Sequence, residues 1–279
     1  MILTLLLACA TDPQAAVCGA YEAPPAAPLI LPFDWNLFSV PVAPEGGGFV
    51  DARLANAAWR AESDEGMQVK SYDASGRMIR SVWQWEGTDE DGQAHEQTSS
   101  NTVVWDATGC PSELRSTDAA GLESITRYSC DQHGLVDRMM YEDGSETEIV
   151  NSYNGVALAT STIGTTVYTM TYDRQGRLSG WGDPLCHRYD WIWHGDIVAE
   201  LTHSEAYSEA EEGWNGVITS TWDHTSTGVA DGKVVEHTTL GGTEKRTLFE
   251  YAYDELFSIP AALLGDDGSE VRYSVTCPG

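Results

Sequence analysis

Residues 167–178, Val-Tyr-Thr-Met-Thr-Tyr-Asp-Arg-Gln-Gly-Arg-Leu, set a pattern that the rest of the chain repeats. Tyr168, Met170 and Tyr172 alternate with Thr169 and Thr171, the two-residue period of a strand with one apolar and one polar face. A turn follows at once. Asp173 can accept a hydrogen bond from its own backbone two residues on, and Gly176 can take the positive φ of a tight reversal. Arg177 and Leu178 then begin the returning strand.

The same hairpin recurs. Tyr72-Asp73-Ala74-Ser75-Gly76-Arg77-Met78 repeats it, while Trp105-Asp106-Ala107-Thr108-Gly109 and Cys130-Asp131-Gln132-His133-Gly134-Leu135 vary it. The copy from Trp222 to Gly228 carries one extra residue, and Tyr253-Asp254-Glu255-Leu256 lacks the glycine. Asp91-Gly92, Asp143-Gly144, Asn154-Gly155, Asn215-Gly216, Asp231-Gly232 and Asp267-Gly268 add further hairpin dipeptides. Turn signals this dense predict an all-β fold, an antiparallel meander of repeated hairpins curled into a half-barrel or stacked as a sheet. Helical periodicity is nearly absent. Residues 51–62 lean towards a first strand over a short helix, and residues 204–212 suit either a helix or a polar excursion.

The chain has 279 residues, of which 42% are hydrophobic, with ten Trp and twelve Tyr. A chain of this size can hide roughly 70–75% of its surface, so one core is within reach. Residues 20–48 differ: six prolines, from Pro24 to Pro44, lead to Gly46-Gly47-Gly48, the composition of a stiff spacer. Within it, Leu29-Ile30-Leu31-Pro32-Phe33-Asp34-Trp35 is apolar enough to dock as an edge segment. The expected organisation is a signal segment at 1–8, a tether at 9–49 and a single β domain at 50–279. A net charge of −28 repels phosphate backbones and excludes nucleic acid as a partner.

Residues 1–8 are uncharged and apolar, and Leu6-Leu7-Ala8-Cys9 resembles the lipobox of bacterial lipoproteins. That resemblance implies removal of the first eight residues and lipid on Cys9. No stretch approaches the ~20 apolar residues of a spanning helix. Ala10 after the cysteine implies, by sorting analogy, the outer membrane, with the leaflet unassigned. Export makes disulfides permissible. Cys110 starts one predicted strand and Cys130 ends the next, so the two can face each other across a ladder. Cys186 with Cys277 would tie the C-terminus to the middle of the domain, and Cys18 with either of them remains an open alternative.

The turn pattern itself, an aromatic residue, Asp, two free positions, Gly and often Arg, resembles the YD repeat of RHS-type proteins. It is clearest at residues 72–78 and 172–178. The resemblance implies a β-sheet shell. Neither a self-cleaving core motif nor a toxin-like C-terminal region accompanies it.

Catalytic signatures are wanting. There is no Gly-x-Ser-x-Gly elbow and no phosphate-cradling glycine loop. His95-Glu96 opens like a zinc-protease helix, but Ser99 stands where the second ligand belongs. His187, His194 and His203, with Asp190 or Asp196, match no familiar ligand spacing. Asp89-Glu90-Asp91-Gly92 has Gly87 and Thr98 at the outer calcium-ligand positions, so a solvated hairpin tip is expected. No metal or cofactor is predicted.

The stretch 181–194 concentrates Trp, Tyr and His. Alternation puts Tyr189, Trp191 and Trp193 on one face, a row that either forms a glycan or peptide platform or fills the covered face of the sheet. Trp83 and Trp85 form a smaller row with the same two readings. The function expected is an envelope-anchored lipoprotein, attached to the membrane through lipid on Cys9, acting as a non-catalytic binding or structural module for an envelope protein or glycan. The alternatives are a glycan-active enzyme, which needs two converging acids or a His–Asp pair, and a carrier of lipid or lipoprotein in a dry concave face.

Overall fold

The structure is a computed structural model that describes residues 51–277 except 89–93, 156, 184–186, 195–196, 206–215, 225–229, 240–241 and 254–259. Among the described residues a single 3-10 turn, Ala52–Leu54, precedes eighteen strands. The first six are β1 (Ala58–Ser63), β2 (Gly66–Tyr72), β3 (Met78–Thr88), β4 (Ala94–Trp105), β5 (Pro111–Thr117) and β6 (Glu123–Cys130). The next six are β7 (Val136–Tyr141), β8 (Glu146–Asn154), β9 (Ala157–Ile163), β10 (Thr166–Tyr172), β11 (Leu178–Asp183) and β12 (His187–His194). The last six are β13 (Ile197–Glu205), β14 (Gly216–His224), β15 (Ala230–Thr239), β16 (Gly242–Tyr253), β17 (Pro260–Gly265) and β18 (Glu270–Thr276). Residues 51–62, expected to lean to strand, divide between the 3-10 turn and β1.

Each strand pairs antiparallel with the next, and β18 pairs back onto β1 from Ala58↔Thr276 to Glu62↔Arg272. The meander therefore closes into a barrel, beyond the half-barrel or stacked sheet expected from the hairpins alone. Local curvature points to the cause. In each even-numbered strand from β2 to β16 the register against the following strand slips at one of its last two residues. A bulge bends and twists its strand, and all of these fall at one end of the barrel, so the bends add in one sense around the ring.

That end, here the near rim, also receives the incoming chain. Asp51 N–H donates to the Gly76 carbonyl and Asn56 N–H to the Asp73 carbonyl, which docks the 3-10 turn on the first near-rim hairpin. Leu54, fully buried, enters the interior with Ala57 and packs with Trp59, Tyr72, Met78, Val103, Leu114, Tyr128, Val136, Met139 and Ile149. A second cluster, Leu158, Met170, Trp181 and Trp191, fills the interior under β9 to β13. Asp51 and Arg53 form a buried ion pair at 2.9 Å beneath the same hairpin.

The two faces of the strands are chemically opposite. In β8, Thr147, Ile149, Asn151 and Tyr153 point inward while Glu146, Glu148, Val150 and Ser152 are exposed outside. The outer surface carries cross-strand ion pairs around its circumference: Arg127 with Glu113 at 3.4 Å, Arg138 with Glu146 at 3.7 Å and Arg246 with Glu236 at 3.2 Å. Arg60 and Glu62 on β1 and Arg272 on β18 continue that charged surface across the closure.

Candidate functional site

The near rim is built from one local device used repeatedly. At Asp73, Asp106, Asp131 and Asp173 the carboxylate Oδ1 accepts from the backbone N–H groups two and four residues later, at 2.8–3.2 Å. The glycine one residue before the end of each turn has φ between 68° and 92°. This is a type I turn closed by a left-handed glycine, and the carboxylate caps the N–H groups that the bulge leaves outside the ladder. Burial pulls the Asp173 carboxyl upward, but hydrogen bonds from Arg177 and Gln175 hold it below its usual range. Asp106 and Asp131 are lowered for the same reason, again against burial.

In three copies the residue after the turn glycine meets the last or next-to-last residue of the next even-numbered strand. Arg77, held by Asp73 at 2.7 Å, lies over the Trp105 ring at 5.2 Å. Arg177, held by Asp173 at 2.6 Å, lies over Trp193 at 4.9 Å. Trp105 Nε1–H donates to the Met78 carbonyl at 3.0 Å and Trp193 Nε1–H to the Leu178 carbonyl at 2.8 Å, the same contact one half of the barrel apart. Cys110 and Cys130 occupy these two positions in the intervening copy and are joined by a disulfide, with Cα atoms 6.1 Å apart. In the copy after that, Tyr153 donates its hydroxyl proton to Asp131 and its ring stacks on His133 at 4.1 Å. The near rim is thus a sequence of clasps, each tying one hairpin to the next, and its role is structural.

The row Tyr189, Trp191 and Trp193 faces the interior. Trp191 is buried, Tyr189 stacks on it at 6.1 Å and on His203 at 4.2 Å, and Trp193 is the clasp residue just described. Trp181 and Tyr168 extend the stack along β11 and β10, with ring centroids 5.3 Å apart. Arg188 and Asp190, on the outer side of β12, pair with each other at 2.7 Å.

A different inner surface is not filled. Between β2, β3 and β4 lies a hollow of about 480 Å³ lined by Gln68, Ser81, Trp83, Ser99, Ser100 and Asn101. The ladder sets these groups opposite one another: Gln68↔Trp83, Trp83↔Ser99 and Ser81↔Asn101. Trp59, Trp181 and Trp191 are no more than 6% exposed, whereas Trp83 keeps 37% of its surface exposed in this hollow. Lys70, opposite Ser81, is buried with its ammonium 5.6 Å from the Trp59 ring centroid, and burial pushes its pKa down to about 8. Towards the far rim, Gln97 lies across Gly87, where a Cβ would come within 2.3 Å of its amide nitrogen.

Cys9, Cys18, Cys186, the apolar segment 29–35 and the acidic tip 89–92 lie outside the described residues, as does most of 204–212. Cys277 is disulfide-bonded, and its partner also lies outside them. Cys277 follows β18 at the near rim, whereas Asp183 and His187, which flank Cys186, sit at the far rim. Among the described residues no group of His, Cys, Asp or Glu is arranged to hold a metal ion. Trp83 was visible in the sequence as half of an aromatic pair, but Gln68, Ser81, Ser99 and Asn101 were not. For Ser99 and Asn101 the one signal is that residues 96–102 form a strand polar on both faces.

No family model matches the chain, and no curated protein matches its sequence. Among solved structures it is similar to a porin-like protein from Bacteroides uniformis, at 12% identity and a TM-score of 0.44, covering 80% of this chain and 96% of the other. It is also similar to a TcdB2-TccC3 complex, at 11% identity and a TM-score of 0.27, over 75% of this chain but 15% of the other. Similarity at this level carries no function across.

Proposed function

We propose that the chain is an envelope-anchored, non-catalytic binding or structural module: a closed β shell held on a lipidated tether through Cys9, with its far rim directed away from the membrane. The observation that carries this reading is the polarity of the barrel. The chain enters at the clasped near rim, so a tether ending at Asp51 attaches there, and the other end is the one presented. The charged outer surface supports a barrel standing in water. A lipid-facing band would carry Arg127, Arg138, Glu148 and Arg246, and each charge near a bilayer midplane costs on the order of 2–4 kcal/mol for Arg. The hollow between β2 and β4 is lined by neutral polar groups, which favours binding over the acid pair of a glycan hydrolase and over the dry concavity of a lipid carrier. The hairpin chemistry is also what an RHS-type YD repeat uses, and we take the shell to be built on that plan.

Membrane fractionation tests the reading. The full-length protein should sediment with membranes and Cys9→Ala should become soluble. If Cys9→Ala stays integrated after alkaline extraction, the barrel itself is in the bilayer and the reading fails.

A further inference from the structure

We infer that the hollow between β2, β3 and β4 binds a neutral saccharide, seated on the exposed face of Trp83. This deepens the binding-module reading and rests on it. The flat face of an indole matches the apolar C–H face of a pyranose, and the hydroxyls around that face need partners that both donate and accept. Gln68 and Asn101 supply amides and Ser81 and Ser99 supply hydroxyls, placed around Trp83 by the ladder. A volume of about 480 Å³ suits a ligand of one to a few rings.

Charge selects the neutral class. The lining itself is uncharged. The chain's net charge of −28 disfavours anionic sugars, and Lys70 beneath Ser81 disfavours cationic ones. Among the described residues Trp59, Trp181 and Trp191 are buried and Trp85, Trp105 and Trp193 partly so, which leaves Trp83 the most exposed of them.

The test uses the full chain carrying Cys9→Ala, in solution, so that its result is independent of the fractionation result above. Maltose, cellobiose and di-N-acetylchitobiose are titrated by calorimetry and by fluorine NMR of 5-fluorotryptophan-labelled protein. At least one should bind saturably and shift the resonance assigned by Trp83→Phe. Trp83→Ala should weaken binding by about tenfold or more, while Trp83→Phe should stay within about threefold. Ser99→Phe, which fills the hollow opposite Trp83, should abolish binding and decides the matter if Trp83→Ala does not fold. The inference is overturned if none of the three binds at about 10 mM, or if Ser99→Phe binds as the parent does. Tighter binding of glucosamine or glucuronate than of the neutral sugars overturns it equally.

Discussion

Lys70 offers a direct measure of how the interior treats charge. Its side chain is buried, and burial lowers its pKa from 10.5 to about 8. In the folded state the ammonium is disfavoured, so between those two values the unfolded chain binds more protons and stability rises with pH. Below pH 8 the full penalty applies, and a displacement of this size corresponds to about 3 kcal/mol. Lys70→Met keeps the stem and removes the charge. Part of the gain is offset by loss of the cation–π contact with Trp59 at 5.6 Å, about 1 kcal/mol. Lys70→Met should therefore stabilise the protein by about 2 kcal/mol at pH 7, and the gain should shrink by about 2 kcal/mol by pH 9.5 as the parent Lys70 sheds its proton. Urea unfolding followed by circular dichroism at the two pH values measures this. The exposed Arg272→Gln serves as the charge-matched control, since Arg272 is 72% exposed. A gain equal at both pH values, or a loss at pH 7, refutes the reasoning.

Other consequences can be checked as directly. A double-mutant cycle on Arg177→Ala and Trp193→Ala should return a coupling of about 1 kcal/mol from urea midpoints, since Trp193 is half-buried and Arg177 is clamped by Asp173. Met78, fully buried in the core, should cost about 2–5 kcal/mol on Met78→Ala, read as a fall in thermal midpoint. The turn carboxylates at Asp106, Asp131 and Asp173 titrate below their usual range, so their stabilisation is complete above about pH 4 and is lost as pH falls through the lowered values. Asp173→Asn keeps the capping oxygen and should flatten the acid limb of the stability curve. Peptide mapping under non-reducing conditions should find Cys277 joined to Cys18 rather than Cys186, because Asp51, where the described residues begin, sits at the near rim, where β18 ends.

The strands and their turns were legible in the chain because both are local. Alternation over 167–172 assigns faces, and Asp173 with Gly176 closes a hairpin within five residues, so no distant contact is needed. Cys110 and Cys130 were likewise placed by counting along one ladder. Which face would be covered was not readable from alternation, and Tyr189 and Trp191 became interior only once the sheet curved round them. Closure belongs to the tertiary structure alone, since the pairing of Trp59 with Val275 joins residues from opposite ends of the domain and depends on the summed bend of many bulges. So do the clasps: Arg177 and Trp193 are sixteen positions apart in the chain and meet only because two hairpins stand side by side. The hollow at Trp83 is of the same kind, because an unfilled space is defined by what fails to reach it and no single stretch of sequence records that.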